Sequence, residues 1–188
     1  MIPEPCVATI GFFDGVHMGH RYLIQQVKEI AAAKGLRSAL VTFPVHPRKV
    51  MNAAYHPELL TTPEEKTNLL AGTGVDYCLM LDFTPDISRL TAKEFMTQIL
   101  KERFQVKYLV IGYDHRFGHN RSEGFDDYVR YGQAIGIEVI RAQAYTDDIQ
   151  IDTIQSAPVS SSLIRKLLHQ GDVDVAARCL GYEYFLDG

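Results

Sequence analysis

Two hydrophobic patterns alternate along this chain. Short stretches dense in Val, Ile, Leu and Ala recur at 7–10, 38–43, 76–81, 107–112 and 137–142, the form of strands buried on both faces of a parallel sheet. Between them the apolar residues space out to helical intervals. Leu23, Ile24, Val27, Ile30 and Ala31 form a stripe over a helix at 19–34 that stops at Gly35. Phe95, Met96, Ile99, Leu100 and Phe104 share one face of a later helix, and Phe125, Tyr128, Val129 and Ile135 mark another. Strand and helix in turn predict a doubly wound α/β fold with about five parallel strands. Leu163, Ile164, Leu167 and Leu168, then a short segment bounded by Gly171 and Gly181, predict a small helical C-terminal extension.

Local signals set the boundaries. Thr62-Pro63-Glu64-Glu65 and Thr91-Ala92-Lys93-Glu94 both have the form of a capping box. Pro44 and Pro47 predict that 44–48 is a loop, neither helix nor central strand. It follows a strand, on the edge where open α/β sheets bind ligands. Residues 145–159 alternate only loosely and read as an irregular strand pair or loop.

Composition then removes several functional classes. A chain of 188 residues suits one domain with a substantial core. Its formal net charge of −4, without a basic block, disfavours extended nucleic-acid binding. Cys6, Cys78 and Cys179 lack paired spacing and suit reduced thiols. With no signal-peptide pattern and no long apolar run, a cytoplasmic protein with no membrane partner is expected.

The chemistry concentrates where the first strand ends. Gly11, Gly15 and Gly19 punctuate a turn that runs into the first helix, and His17 and His20 stand three residues apart there. Turn amides and unpaired first-turn amides would converge on an anion, which the helix dipole favours. Two imidazoles add directional donors for charge developing on a phosphoryl oxygen, which suits phosphate transfer. Half of a metal site, or histidines without a role, are the alternatives. A second anion site is offered by Ser160, Ser161 and Ser162 at a helix start, with Arg165 one turn in, although capping alone would also explain the serines. The glycine-bounded loop 112–118 holds Asp114, Arg116 and Phe117, suited to a hydroxyl, a phosphate and a ring face, or to simple solvation. Its neighbours His115 and His119 read as bystanders.

The run from Gly11 to His20, with its His-x-Gly-His ending, resembles the bacterial FAD synthetases, which are bifunctional riboflavin kinases and FMN adenylyltransferases in the nucleotidyltransferase superfamily. Phe43 with His46-Pro47-Arg48, the loop around Asp114, the segment Ser161 to Arg165 and the stretch 171–181 extend the likeness over nearly the whole chain. Val45 replaces a proline usual in the family, and Phe12 replaces an asparagine. The resemblance implies transfer of AMP from ATP to FMN, giving FAD and pyrophosphate, with Mg²⁺ neutralising the phosphates. It implies His17, His20 and Arg165 as catalytic residues. Gly11, Phe12, Phe13, Gly19, Ser160, Ser161 and Ser162 would bind ATP. Phe43, His46, Pro47, Arg48, Asp114, Arg116 and Phe117 would bind flavin. Residues 1–188 are then expected to be the adenylyltransferase domain, with a riboflavin kinase domain as its partner in the natural protein. An adenylyltransferase for another phosphorylated metabolite, or a non-catalytic flavin or nucleotide module, are the rivals.

Overall fold

The computed structural model describes residues 4–112, 115–145, 149–150 and 156–184. Five strands, β1 (Cys6–Ile10), β2 (Arg37–Thr42), β3 (Tyr77–Met80), β4 (Val106–Ile111) and β5 (Glu138–Arg141), form one sheet in the order β3-β2-β1-β4-β5. Every pairing in it is parallel, as the apolar runs predict. The order reverses between β1 and β4. Loops leaving the carboxyl ends of those two strands therefore diverge and open a crevice.

Period-two alternation divides the core. Cys6, Ala8 and Ile10 of β1 face one way, with Leu109 and Ile111 of β4, toward α5 (Ala92–Phe95) and α6 (Phe125–Ile135). Val7 and Val110 face the other way, onto Val27 and Ala31 of α1 (Met18–Lys34). On that second face Leu40 meets Ile24 of α1 and Leu70 of α3 (Pro63–Ala71). A separate cluster joins Leu60 to α7 (Ser161–His169) and α8 (Val173–Leu180), the expected helical extension.

Both capping boxes form, at Thr62 with Glu65 and at Thr91 with Glu94. One local reading needs correction, and two elements add detail the pattern does not carry. Pro47 does not exclude a helix. It starts one, α2 (Pro47–Met51), because the first helical position needs no N–H and His46 caps it by accepting from the Arg48 amide at 3.1 Å. After α5 the chain winds on as a π-helix, Met96–Arg103, ending in a Phe104 N–H to Ile99 C=O bond of 3.1 Å. Apolar spacing cannot separate that winding from an α-helix. A one-turn helix, α4 (Pro85–Ser88), is an element the pattern leaves out. Two-residue strands β6 (Ile149–Gln150) and β7 (Ser156–Ala157) form an antiparallel pair within the loosely alternating region. Among the described residues no helix is long and apolar enough to cross a membrane.

Candidate active site

The turn after β1 is strained and held from outside. Phe13, Gly15 and Val16 have φ of 59°, 81° and 41°, the left-handed region, which is a true outlier for a β-branched residue such as Val16. Such backbone persists only where surroundings over-determine it. Here two distant segments do so, residues 60–61 and Tyr182. The buried Asp14 carboxylate accepts from the Leu60 amide at 2.9 Å and the Thr61 amide at 3.3 Å. Thr61 Oγ1 accepts from the Gly15 amide at 3.3 Å, and the Tyr182 hydroxyl donates to the Gly15 carbonyl at 2.6 Å. Gly15 itself has no room for a side chain, since a Cβ would lie 2.8 Å from Leu60 Cδ1.

His17 leaves this turn as the N-cap of α1, its Nδ1 accepting from the His20 amide at 3.2 Å. That bond puts the proton of the neutral ring on Nε2. The two imidazoles stack with centroids 3.6 Å apart, and His20 meets the Phe13 ring edge-on at 5.2 Å. Burial pulls His17 down to about 4 against the opposing Asp14 carboxylate. Burial, then His17 and Lys66, hold His20 well below its ordinary range. Both rings are therefore neutral donors at physiological pH. Although His20 is half-buried as a residue, its Nδ1 is fully buried with no hydrogen-bond partner. An unpaired lone pair costs less than an unpaired N–H, so its proton also belongs on Nε2. Gly19 is needed for space: a Cβ there would lie 3.0 Å from the His17 ring.

The second predicted cluster comes to the same turn. Arg165 Nη2 reaches Asp14 Oδ2 at 2.6 Å, its Nε donates to the Glu58 carbonyl at 2.6 Å, and Ser161 Oγ donates to the Asp14 carbonyl at 2.9 Å. Ser160 caps α7 by accepting from the Leu163 amide. Ser162 is exposed. Phe13, expected beside ATP, has its ring in the core at 3 % exposure, so its backbone is what remains for a ligand.

Next to the turn, on the same sheet edge, lies a cavity of about 530 Å³. Six of the seven predicted flavin residues line it, Phe43, His46, Pro47, Arg48, Arg116 and Phe117, from loops that follow β2 and β4. Asp114 lies outside the described residues. Gly11 and Phe12, expected on the nucleotide side, also line this cavity, so the two sets share a wall. Phe117 stacks on Tyr128 with centroids 4.2 Å apart, which occupies one ring face. Arg116 donates to the Glu123 carbonyl at 2.7 Å. His115 and His119, read as bystanders, line the cavity as well, as does Arg121.

The largest omission is Lys66. It is 2 % exposed, donates to the carbonyls of Phe12 at 3.0 Å and Phe43 at 2.8 Å, and stands 3.7 Å from the Phe12 ring centre. It follows two glutamates at the start of a helix, where a lysine looks solvated.

The FAD synthetase family matches residues 1–158. A bifunctional riboflavin kinase/FMN adenylyltransferase of Listeria monocytogenes is 34% identical over 183 residues, covering 97% of this chain and 55% of the relative. The protein of the same name from Escherichia coli K12 is 32% identical over 185 residues, covering 98% and 57%. The chain thus spans little more than half the length of these curated relatives. A crystal structure described as a macrolide-efflux protein from Streptococcus pneumoniae superposes with a TM-score of 0.80 at 28% identity, covering 98% of this chain and 67% of that one.

Proposed function

The chain belongs to the FAD synthetase family, and from that premise we propose that it is an FMN adenylyltransferase, forming FAD and pyrophosphate from ATP and FMN. One observation carries the reading: an aromatic-lined cavity and a histidine turn share Gly11 and Phe12 as a common wall. A flavin in the cavity would present its phosphate to a nucleotide on the turn. The volume falls within the usual range for cofactor pockets.

An FMN phosphate oxygen attacks the α-phosphorus of ATP in line. The new P–O bond forms as the bond to the β-phosphate oxygen breaks, and pyrophosphate leaves with the electron pair. No protein nucleophile is required, so the work is positioning and charge stabilisation. His17 and His20 donate Nε2–H to phosphoryl oxygens, with His20 at the α-phosphate. The free amides at the start of α1 add to this. Arg165 and Ser162 bind the departing pyrophosphate, with Ser161 fastening their helix to the turn through the Asp14 carbonyl. Arg165 keeps its Asp14 contact as an anchor and offers its remaining donors. Mg²⁺ carried by ATP would neutralise charge on the pyrophosphate. Among the described residues no group of three or more His, Cys, Asp or Glu side chains could hold a metal ion. A riboflavin kinase domain as covalent partner, and a cytoplasmic setting, belong to the same proposal.

A panel of acceptors tests it. FMN, phosphopantetheine and nicotinamide mononucleotide are each incubated with MgATP, and pyrophosphate release is measured. Release with FMN alone is expected. Preference for another acceptor would replace the substrate, and flavin binding with no release would indicate a non-catalytic module.

A further inference from the structure

We propose that Lys66 is a positioning residue that couples the two substrate sites, by fixing the turn carrying Phe12 against the strand end carrying Phe43. The proposal rests on the nucleotide–flavin reading above. Regular pairing between the first two strands ends at the Gly11 amide to Val41 carbonyl bond of 3.0 Å. Beyond it their continuations part, one into the histidine turn and the other into the flavin wall. Lys66 supplies the next link, with one ammonium bonded to a carbonyl on each branch. Thr42 Oγ1 also donates to the Phe12 carbonyl, at 3.1 Å, so that end is doubly held. The Phe12 ring, which lines the cavity, stands against the same ammonium and meets His46 edge-on at 4.7 Å.

A ligand that settles Phe12 and His46 therefore presses on the segment that leads to His17 and His20. One group gripping both branches transmits that constraint, so binding on either side lowers the ordering cost on the other. The titratable groups facing Lys66 are Asp14 from the turn, His20 from the first helix and Cys78 from β3. Burial outweighs Asp14 and brings the lysine down to about 8. The ammonium is present at neutral pH and is lost on the alkaline side. A lysine with only a packing role would change melting temperature without changing the linkage between sites.

The test uses the full chain as wild type, Lys66→Met and Lys66→Arg. Flavin fluorescence gives the Kd for FMN with and without saturating α,β-methylene-ATP and Mg²⁺. The ratio of the two constants measures coupling. Wild type is expected to show coupling of about fivefold or more at neutral pH. Lys66→Met should bring the ratio close to one, and Lys66→Arg, whose charge persists at all working pH, should restore it. Raising the pH from about 7 to about 9.5 should weaken coupling in wild type and leave it unchanged in Lys66→Arg. Full coupling in a folded Lys66→Met protein would overturn the proposal. If that variant does not fold, a pH-independent wild-type ratio does so instead. Wild type that binds neither FMN nor the analogue would overturn the functional reading, and this role with it.

Discussion

Replacing Asp14 by asparagine should damage stability and catalysis together, by an amount the structure allows to be worked out. The carboxylate is 5 % exposed and accepts from Leu60 and Thr61 amides as well as from Arg165 at 2.6 Å. Asparagine keeps the volume and one acceptor oxygen, enough for the two amides. Its NH₂ group must then face the guanidinium, donor against donor. Breaking a buried ion pair from one side costs about 3–5 kcal/mol. Arg165 is 27% exposed at its side chain, so water recovers part of that and about 2 kcal/mol remains. For a chain of this size the Tm should fall by roughly 4–8 °C. Because Asp14 also holds the strained turn that aims His17, kcat should fall by about tenfold or more. Thermal melts followed by circular dichroism measure the first effect and FAD formation the second. A cycle with Arg165→Met separates the pair from the other contacts, and about 1–2 kcal/mol of non-additivity is expected. A Tm within about 1 °C of wild type, or an additive cycle, would refute the anchoring role.

The imidazoles make the fold labile in acid. His17 is depressed to about 4, so between the ordinary histidine value and that point the unfolded chain binds the proton first and stability falls as pH falls, by roughly 3 kcal/mol across the window. Urea midpoints measured against pH should show this slope, and His17→Asn should flatten it. Gly19→Ala should leave Tm nearly unchanged, because alanine favours the helix by about 1 kcal/mol. The new methyl displaces the His17 ring, so FAD formation should drop by about tenfold; an unchanged rate would show that ring placement is not limiting. Gly132→Ala is the converse control, since its Cβ would lie 2.2 Å from the Ile137 carbonyl. It should cost about 1–3 kcal/mol in denaturant titrations and leave turnover per folded molecule intact.

The division between what the residues announced and what they concealed follows the range of the interactions. Strand runs, helical stripes and the two Thr–Glu capping boxes are local, and all appear where their patterns place them. The histidine turn and the Ser161–Arg165 segment are likewise legible, because glycine, imidazole and guanidinium state their chemistry by type. Their meeting at one place is what the family resemblance implies, but the contact that makes it was not legible. Arg165 finds Asp14 across 151 positions, and nothing near either residue signals the pairing. Leu60 and Thr61 anchor the turn chiefly through backbone amides, which every residue has. Lys66 escaped because its burial is imposed by two loops folding over it, not by any feature of its own helix. Pro47 was misjudged because a proline's effect depends on whether it stands inside a helix or first in one.

The most direct test follows the phosphorus. ATP labelled at the α-phosphate, and in a parallel reaction at the γ-phosphate, is incubated with FMN and the full chain, and products are separated by chromatography. In-line attack by the FMN phosphate predicts that all α-label consumed appears in FAD while γ-label appears in pyrophosphate, in equal amounts. α-Label in free AMP or ADP with none in FAD would contradict the account.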